Sequence, residues 1–318
     1  SEYKIRTQNW RQFLQTTLKQ VVKCSGIGLH SGTKVLVKLK PSAAQYGIWF
    51  RRTDITDRDN MIAAHYLNVS GSVLCTKLSN ESGVSISTVE HLMAALSGCG
   101  VQNALIEING PEIPIMDGSA DWFVRKILFG GIKILPQPVR VIHVKKEVIV
   151  KTDSAYASIS PSNNLSIDFE IDFEDVAIGY QAKSLNMANG SFVKELSNSR
   201  TFCRNSDVEK MQKNGLALGG NLQNAIVVNG DKILNPEGFR YQDECVRHKM
   251  LDVLGDLALA GAPIVGAFKG IKSGHSVTNQ LLRKLFSDSS AFEMSICSNE
   301  TAAVLPGVGV LKEDLPKL

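Results

Sequence analysis

The sequence predicts an α+β fold built from two similar halves. Three observations carry this expectation. Strand-like alternation gives way to helix-like periodicity twice, once before and once after Pro136-Gln137-Pro138. That proline-rich tripeptide reads as a linker. The chain has 318 residues, long for one core, so two domains are the default. The boundaries expected from this are an extension at 1–16, a first domain at 17–135 and a second at 139–318.

Taken in order, residues 17–22 and 33–39 alternate polar and apolar side chains and read as two strands. Between them, the glycines of Ser25-Gly26-Ile27-Gly28-Leu29-His30-Ser31-Gly32 superficially suggest a dinucleotide fingerprint. The third glycine is misplaced, however, and a strand follows where a helix is needed, so a glycine-rich hairpin connection fits better. His30 falls in that connection, either bonded locally or facing a pocket. Residues 47–52 form another strand and 54–60 a charged loop; 73–78 and 84–86 are strands flanking a turn. A helix over 88–97 stops at Gly98 and Gly100. A strand at 101–109 and a helix at 120–128 complete the first half.

Beyond the linker, 139–150, 155–160 and 165–173 read as strands and 192–196 as a short helix. Residues 203–232 look inserted: a polar helix at 207–214, the apolar and flexible run Gly215-Leu216-Ala217-Leu218-Gly219-Gly220, and a strand at 225–231. The apolar run is either a hydrophobic binding wall or a packed flap. A helix near 246–257 and a strand at 264–268 follow.

Net charge is +4 and diffuse, too weak to imply a nucleic-acid partner, though compatible with an anionic small substrate. No apolar run approaches the roughly 18 residues that span a membrane, and no signal-peptide core is present, so a cytoplasmic location is expected. The six cysteines, Cys24, Cys75, Cys99, Cys203, Cys245 and Cys297, contain no C-x-x-C pair and are expected to be free thiols. Histidine-dependent chemistry must draw on only six residues: His30, His65, His91, His143, His248 and His275.

The most informative stretch is Val246-Arg247-His248-Lys249-Met250-Leu251-Asp252-Val253-Leu254-Gly255-Asp256-Leu257. On a helix, His248, Asp252 and Asp256 project from one side. An imidazole and a carboxylate one turn apart can grip a divalent ion; the competing interpretation is a solvated polar stripe. In Ser87-Thr88-Val89-Glu90-His91-Leu92, Ser87 and Glu90 fit a capping box, which would leave His91 on the surface. Alternatively, His91 is a third metal ligand and Glu90 a general base. His275, in Lys272-Ser273-Gly274-His275-Ser276, is either an ordinary loop histidine or, paired with Asp256, a cationic acid. A hydroxyl at Thr201 could donate to a developing oxyanion.

These pieces occur in one chain with Pro111-Glu112-Ile113-Pro114-Ile115-Met116-Asp117-Gly118-Ser119-Ala120 and Ser199-Arg200-Thr201-Phe202. Together they closely resemble the UDP-3-O-acyl-N-acetylglucosamine deacetylases, zinc amidases of lipid A synthesis, from about residue 17 to about residue 305. The resemblance implies two similar β-α-α-β two-layer domains packed face to face, each with a small insert. It implies metal ligands at His91, His248 and Asp252 for one catalytic Zn2+, with Fe2+ as an alternative ion. It implies a base at Glu90, a paired acid and electrostatic partner at His275 and Asp256, a polarising hydroxyl at Thr201, and a positive side chain at Lys249 for anionic substrate groups. Leu74, Cys75 and Thr76 match the first insert, and the second, at about 203–231, matches a passage for the acyl chain. Substrate contacts are accordingly expected at Leu74, Cys75, Thr76, Phe202, Leu218 and Gly220. The implied substrate is an acylated UDP-amino-sugar, handled by a monomer without nucleic acid or stable membrane insertion.

Overall fold

The structure is a computed structural model that describes residues 13–317. Most of the expected extension lies outside the described residues. From Leu14 the chain is already a strand, Leu14–Leu18, paired antiparallel with Ile132–Pro138. The supposed linker Pro136-Gln137-Pro138 therefore ends a strand, in a two-stranded ribbon where proline's missing donor is tolerated. The expected single strand at 17–22 is two strands, Leu14–Leu18 and Val22–Ile27, with a bend between them. Lys19 N–H donates to the Gly131 carbonyl at that bend and ties it to the first half's last helix turn.

The first half holds a five-stranded sheet in the order Val22–Ile27, Lys34–Lys40, Ala104–Ile108, Ile48–Arg52, Met61–Ala63. The pairings run antiparallel, antiparallel, parallel, antiparallel. Two helices belong to this half, α1 (Glu90–Gly98) before the strand Ala104–Ile108 and α2 (Asp121–Gly130) after it. The second half contributes four more helices before the C-terminal segment: α3 (Ser191–Glu195), α4 (Asn205–Lys213), α5 (Glu244–Leu257) and α6 (His275–Ser287). A short α7 (Asn299–Ala302) comes last.

In the second half the strands Val148–Lys151, Tyr156–Ser160, Ile264–Ile271, Leu165–Asp172 and Tyr180–Asn186 pair in the same order and with the same senses as the first five. Arg140–Val144 joins Ile264–Ile271 in parallel and pairs antiparallel with Phe292–Ile296. Each half thus runs four strands, a helix, a central strand and a second helix, with α1 matching α5 and α2 matching α6. The α+β class holds, and the repeat is one of topology rather than of sequence.

The helices of the two halves meet. α1 packs on α5, while α5 and α6 rest on their own sheet and α2 on its own. The layer order sheet, helix, helix, sheet therefore runs through the whole stack. The apolar interior is continuous between halves: Leu92 and Leu96 of α1 and Leu251 and Leu254 of α5 belong to one cluster.

Two small sheets stand apart from these layers. Val69–Gly71, Lys77–Ser79 and Ser85–Ile86 form one, and Phe202–Arg204, Ile226–Asn229 and Lys232–Ile233 the other. The expected strand at 73–78 shrinks to its last residues, because Val73 and Leu74 are exposed and unpaired in a loop. His275, for which a loop position is one of two expected alternatives, opens α6 directly after Gly274.

Candidate active site

The seam between α1 and α5 gathers the polar side chains. Their four-residue spacing puts His248, Asp252 and Asp256 on one face of α5, and that face is buried, not solvated. α1 brings Glu90 and His91 to the same seam, both under 5% exposed. The capping box does not form. Val89 is the N-cap, Thr88 takes a left-handed conformation (φ 59°), and the Glu90 carboxylate turns away from its own helix. Its Oε2 accepts from Thr76 N–H at 3.0 Å; Oε1, 3.6 Å from His275 Nε2, has no hydrogen bond among the described residues.

Asp252 Oδ1 lies 3.3 Å from His91 Nε2 and 3.3 Å from His248 Nε2. It is buried and, among the described residues, has no hydrogen-bond partner. The two imidazoles meet edge to face, with centroids 4.9 Å apart. The His248 Nδ1 edge sits 2.9 Å from the Ser199 carbonyl, so Nδ1 carries the proton and donates to it. That leaves the Nε2 lone pair facing Asp252. All three donor atoms lie within 4.8 Å of one another. Two imidazole nitrogens and one carboxylate oxygen, the last orphaned between the other two, fit a divalent transition metal.

The electrostatics separate the roles. Burial pulls His248 down to about 4, against the opposing Asp252 charge, and keeps it a neutral donor. Burial also pulls on His91, but Asp252 and Glu90 outweigh it and raise its pKa. Burial would raise Asp252, yet His248, His91 and His275 hold its carboxyl well below the usual range. Burial lifts Glu90 to about 6, with His275 and His91 partly offsetting it. For His275 burial is overcome by Asp256 and Glu90, which push it up to about 10. Its Nδ1–H donates to Asp256 Oδ2 at 2.6 Å, and Nε2 points toward Glu90 and Asp252.

A family model described as UDP-3-O-acyl N-acetylglycosamine deacetylase matches residues 15–287. The chain belongs to this family. Among curated relatives, the UDP-3-O-acyl-N-acetylglucosamine deacetylase of Actinobacillus succinogenes is 47% identical over 283 residues, 88% of this chain and 92% of the relative. Relatives with the same name from Vibrio parahaemolyticus (45% identical; 91% of this chain, 95% of the relative) and Pasteurella multocida (46%; 88% and 92%) are similar over nearly the same span.

In this family member a cavity of about 550 Å3 opens from the seam into the second insert. His248, Lys249, Asp252, His275 and Thr201 form its polar end. Phe202, Val208, Met211, Ala217, Leu222 and Leu234 give apolar walls, and Leu74 and His30 also line it. The apolar run is thus partly wall: Ala217 and Gly220 line the cavity, whereas Leu218 is 57% exposed and lies outside the lining. Thr76, expected at a substrate contact, is turned inward instead. It is 2% exposed, its hydroxyl donates to Asp256 Oδ1 at 2.6 Å, and its amide holds Glu90. Cys75 is half-buried and absent from the cavity wall, with its thiol pushed up to about 12 by burial and then by Glu90.

The supports of these groups are not marked by any motif in the sequence. Arg200 is buried against Glu244 (Nε to Oε1, 2.9 Å), with Glu237 at 2.7 Å. This pair sets the backbone that presents the Ser199 carbonyl to His248 and Thr201 to the cavity. The only signal was two opposite charges far apart in sequence.

Proposed function

We propose that this chain hydrolyses the N-acetyl group of a UDP-3-O-(3-hydroxyacyl)-N-acetylglucosamine, giving acetate and the free 2-amino sugar, as a step in lipid A synthesis. The observation that carries the proposal is the orphaned Asp252 Oδ1 between two imidazole nitrogens, beside a carboxylate whose pKa is raised to about 6. His91, His248 and Asp252 would hold one Zn2+, and the same donor set also suits Fe2+. When bound, such an ion supplies Lewis acidity, polarising a carbonyl and acidifying water.

The chain's own groups do the rest. Glu90 Oε1, free of hydrogen bonds, takes the proton from the attacking water as its oxygen joins the acetyl carbon. The Thr201 hydroxyl donates to the carbonyl oxygen as negative charge builds there. His275, kept cationic by Asp256, gives its Nε2 proton to the amine as the C–N bond breaks. Lys249 meets anionic groups of the nucleotide, and the apolar cavity takes the acyl chain. Among the described residues no helix is long and apolar enough to cross a membrane.

The test couples metal analysis to acetate release from the acylated UDP-sugar. Chelation should abolish release, and stoichiometric zinc should restore it. Glu90→Gln should keep the metal and lose about 10²-fold or more in turnover, since the ligands are untouched. Full turnover of that variant would remove Glu90 from the base role. Release from other acylated amino sugars, but not from the UDP-sugar, would reassign the substrate.

A further inference from the structure

We infer that Glu112 is a positioning residue that sets the general base and the acyl-chain wall together; the inference rests on the function proposed above. Glu112 belongs to the Pro111–Ala120 motif but touches none of the reacting groups. Its carboxylate is 1% exposed. Oε1 accepts from the Thr88 hydroxyl at 2.8 Å and from His30 N–H at 3.0 Å, and Oε2 accepts from Ser31 N–H at 2.8 Å. Among the described residues no lysine or arginine forms a salt bridge with it. It is therefore held by hydrogen-bond donors: one hydroxyl and two backbone amides.

Each donor leads somewhere useful. Thr88 is β-branched yet sits at φ 59°, a region such a residue occupies only where its surroundings hold it. It is two residues before Glu90, and its left-handed turn is what starts α1 at Glu90 and swings that carboxylate into the seam. The backbone beside it is pinned as well: Ser87 N–H donates to the Pro111 carbonyl, and Ile113 N–H to the Ser87 carbonyl. On the other side, the loop held through His30 and Ser31 carries the second insert. The Leu29 carbonyl accepts from Gly219 N–H at 2.9 Å, and His30 Nδ1 accepts from Ala217 N–H at 3.2 Å. A Cβ at Gly28 would stand 2.3 Å from Glu112 Oε2, so glycine is needed there for the carboxylate to reach the loop. One side chain thus spans the start of the catalytic helix and the cavity wall.

The two roles separate in a double-mutant cycle. Glu112→Ala should lower kcat about 10-fold or more by letting Thr88 relax and shifting Glu90. It should also raise KM for long-acyl substrates more than for short ones, because the wall loses its anchor. Thr88→Gly adopts the left-handed conformation without strain. Placed in the Glu112→Ala background, it should recover kcat at least threefold or so while leaving the long-acyl KM defect in place. Metal per chain, the calorimetric Kd of the acylated product for metal-free protein, and a crystal structure of Glu112→Ala are the accompanying readouts. If the alanine variant does not accumulate, Glu112→Met, close in volume but without an oxygen acceptor for Thr88, runs the same cycle. The inference is overturned by a kcat within twofold of wild type, by kcat losses that multiply in the double variant, or by a variant structure in which Thr88 stays left-handed. The last readout stands whether or not the wild type releases acetate, so failure of the functional assignment is told apart from failure of this inference.

Discussion

Gly255→Ala offers a sharp test of how the two halves make one site. Gly255 sits in α5 beside Asp256, where that helix crosses α1. A Cβ built there would stand 2.0 Å from the Glu90 carbonyl oxygen, 2.8 Å from its carbon and 3.2 Å from Ala94 N. All three are backbone atoms, so no rotamer change relieves the contact. To reach an ordinary C···O approach of about 3.3 Å, the helices must part by more than about 1 Å. Two effects then oppose each other. Alanine in a helix interior gains about 1 kcal/mol over glycine in propensity. Overpacking a close seam costs about 1–3 kcal/mol. The net loss of stability is small, at most about 2 kcal/mol, or a few degrees in Tm.

Turnover is the sensitive quantity. Glu90 and His91 ride on one helix, His248, Asp252 and Asp256 on the other, so parting them stretches every distance across the site. A displacement near 1 Å costs about 10²-fold in rate. The expected result is kcat down about 10²-fold with Tm lowered only slightly, read by acetate release at saturating substrate alongside thermal melts and metal content. A variant that is more stable and retains kcat within about threefold would refute the reasoning, because propensity would then outweigh the contact.

The other two predictions concern charge and shape. Glu90 must be ionised and His275 protonated, so turnover should rise with pH through about 6 and fall through about 10. A nearby divalent cation favours the deprotonated forms and moves both limbs downward. His275→Ala should remove the alkaline limb, and a bell keeping both limbs would assign that limb elsewhere. At Gly220 an added Cβ would meet Ala217 O at 3.2 Å and Leu29 Cδ1 at 3.5 Å, a tight but adjustable fit, so a larger side chain there enters the cavity. Gly220→Phe should raise KM for long-acyl substrates about 10-fold or more and spare short ones. Equal losses across chain lengths would take this residue out of the wall.

What the sequence reveals here follows what it encodes locally. The four-residue spacing of His248, Asp252 and Asp256 is a property of one helix and needs no tertiary information. The adjacency of Glu90 and His91 is equally local. The capping-box pattern at Ser87 and Glu90 misleads because a distant carboxylate, Glu112, holds Thr88 left-handed and displaces the helix start. Thr76 could not be placed by inspection either, since its two partners lie 14 and 180 residues away. The strand Tyr180–Asn186 escaped notice because its alternation is between exposed and half-buried positions, with no apolar face to mark it. α6 did carry a signal in Val277, Leu281, Leu282 and Leu285, all buried at helical spacing.

The position of the site at a helix–helix seam has an energetic logic. Three carboxylates and three imidazoles are buried together there; His275 and His91 are shifted toward the cation while burial keeps His248 neutral, so the carboxylates outnumber the cationic imidazoles. The cluster is therefore rich in negative charge in a place where uncompensated charge costs several kcal/mol per group. A divalent cation between His91, His248 and Asp252 would offset that excess, so metal affinity and the stability of the seam are linked quantities. Neither half carries the whole donor set. His91 and Glu90 come from one repeat and the remaining groups from the other, so the ion would join the two repeats where α1 and α5 already pack together. The tightness that Gly255 permits is then a requirement of the chemistry as much as of the packing.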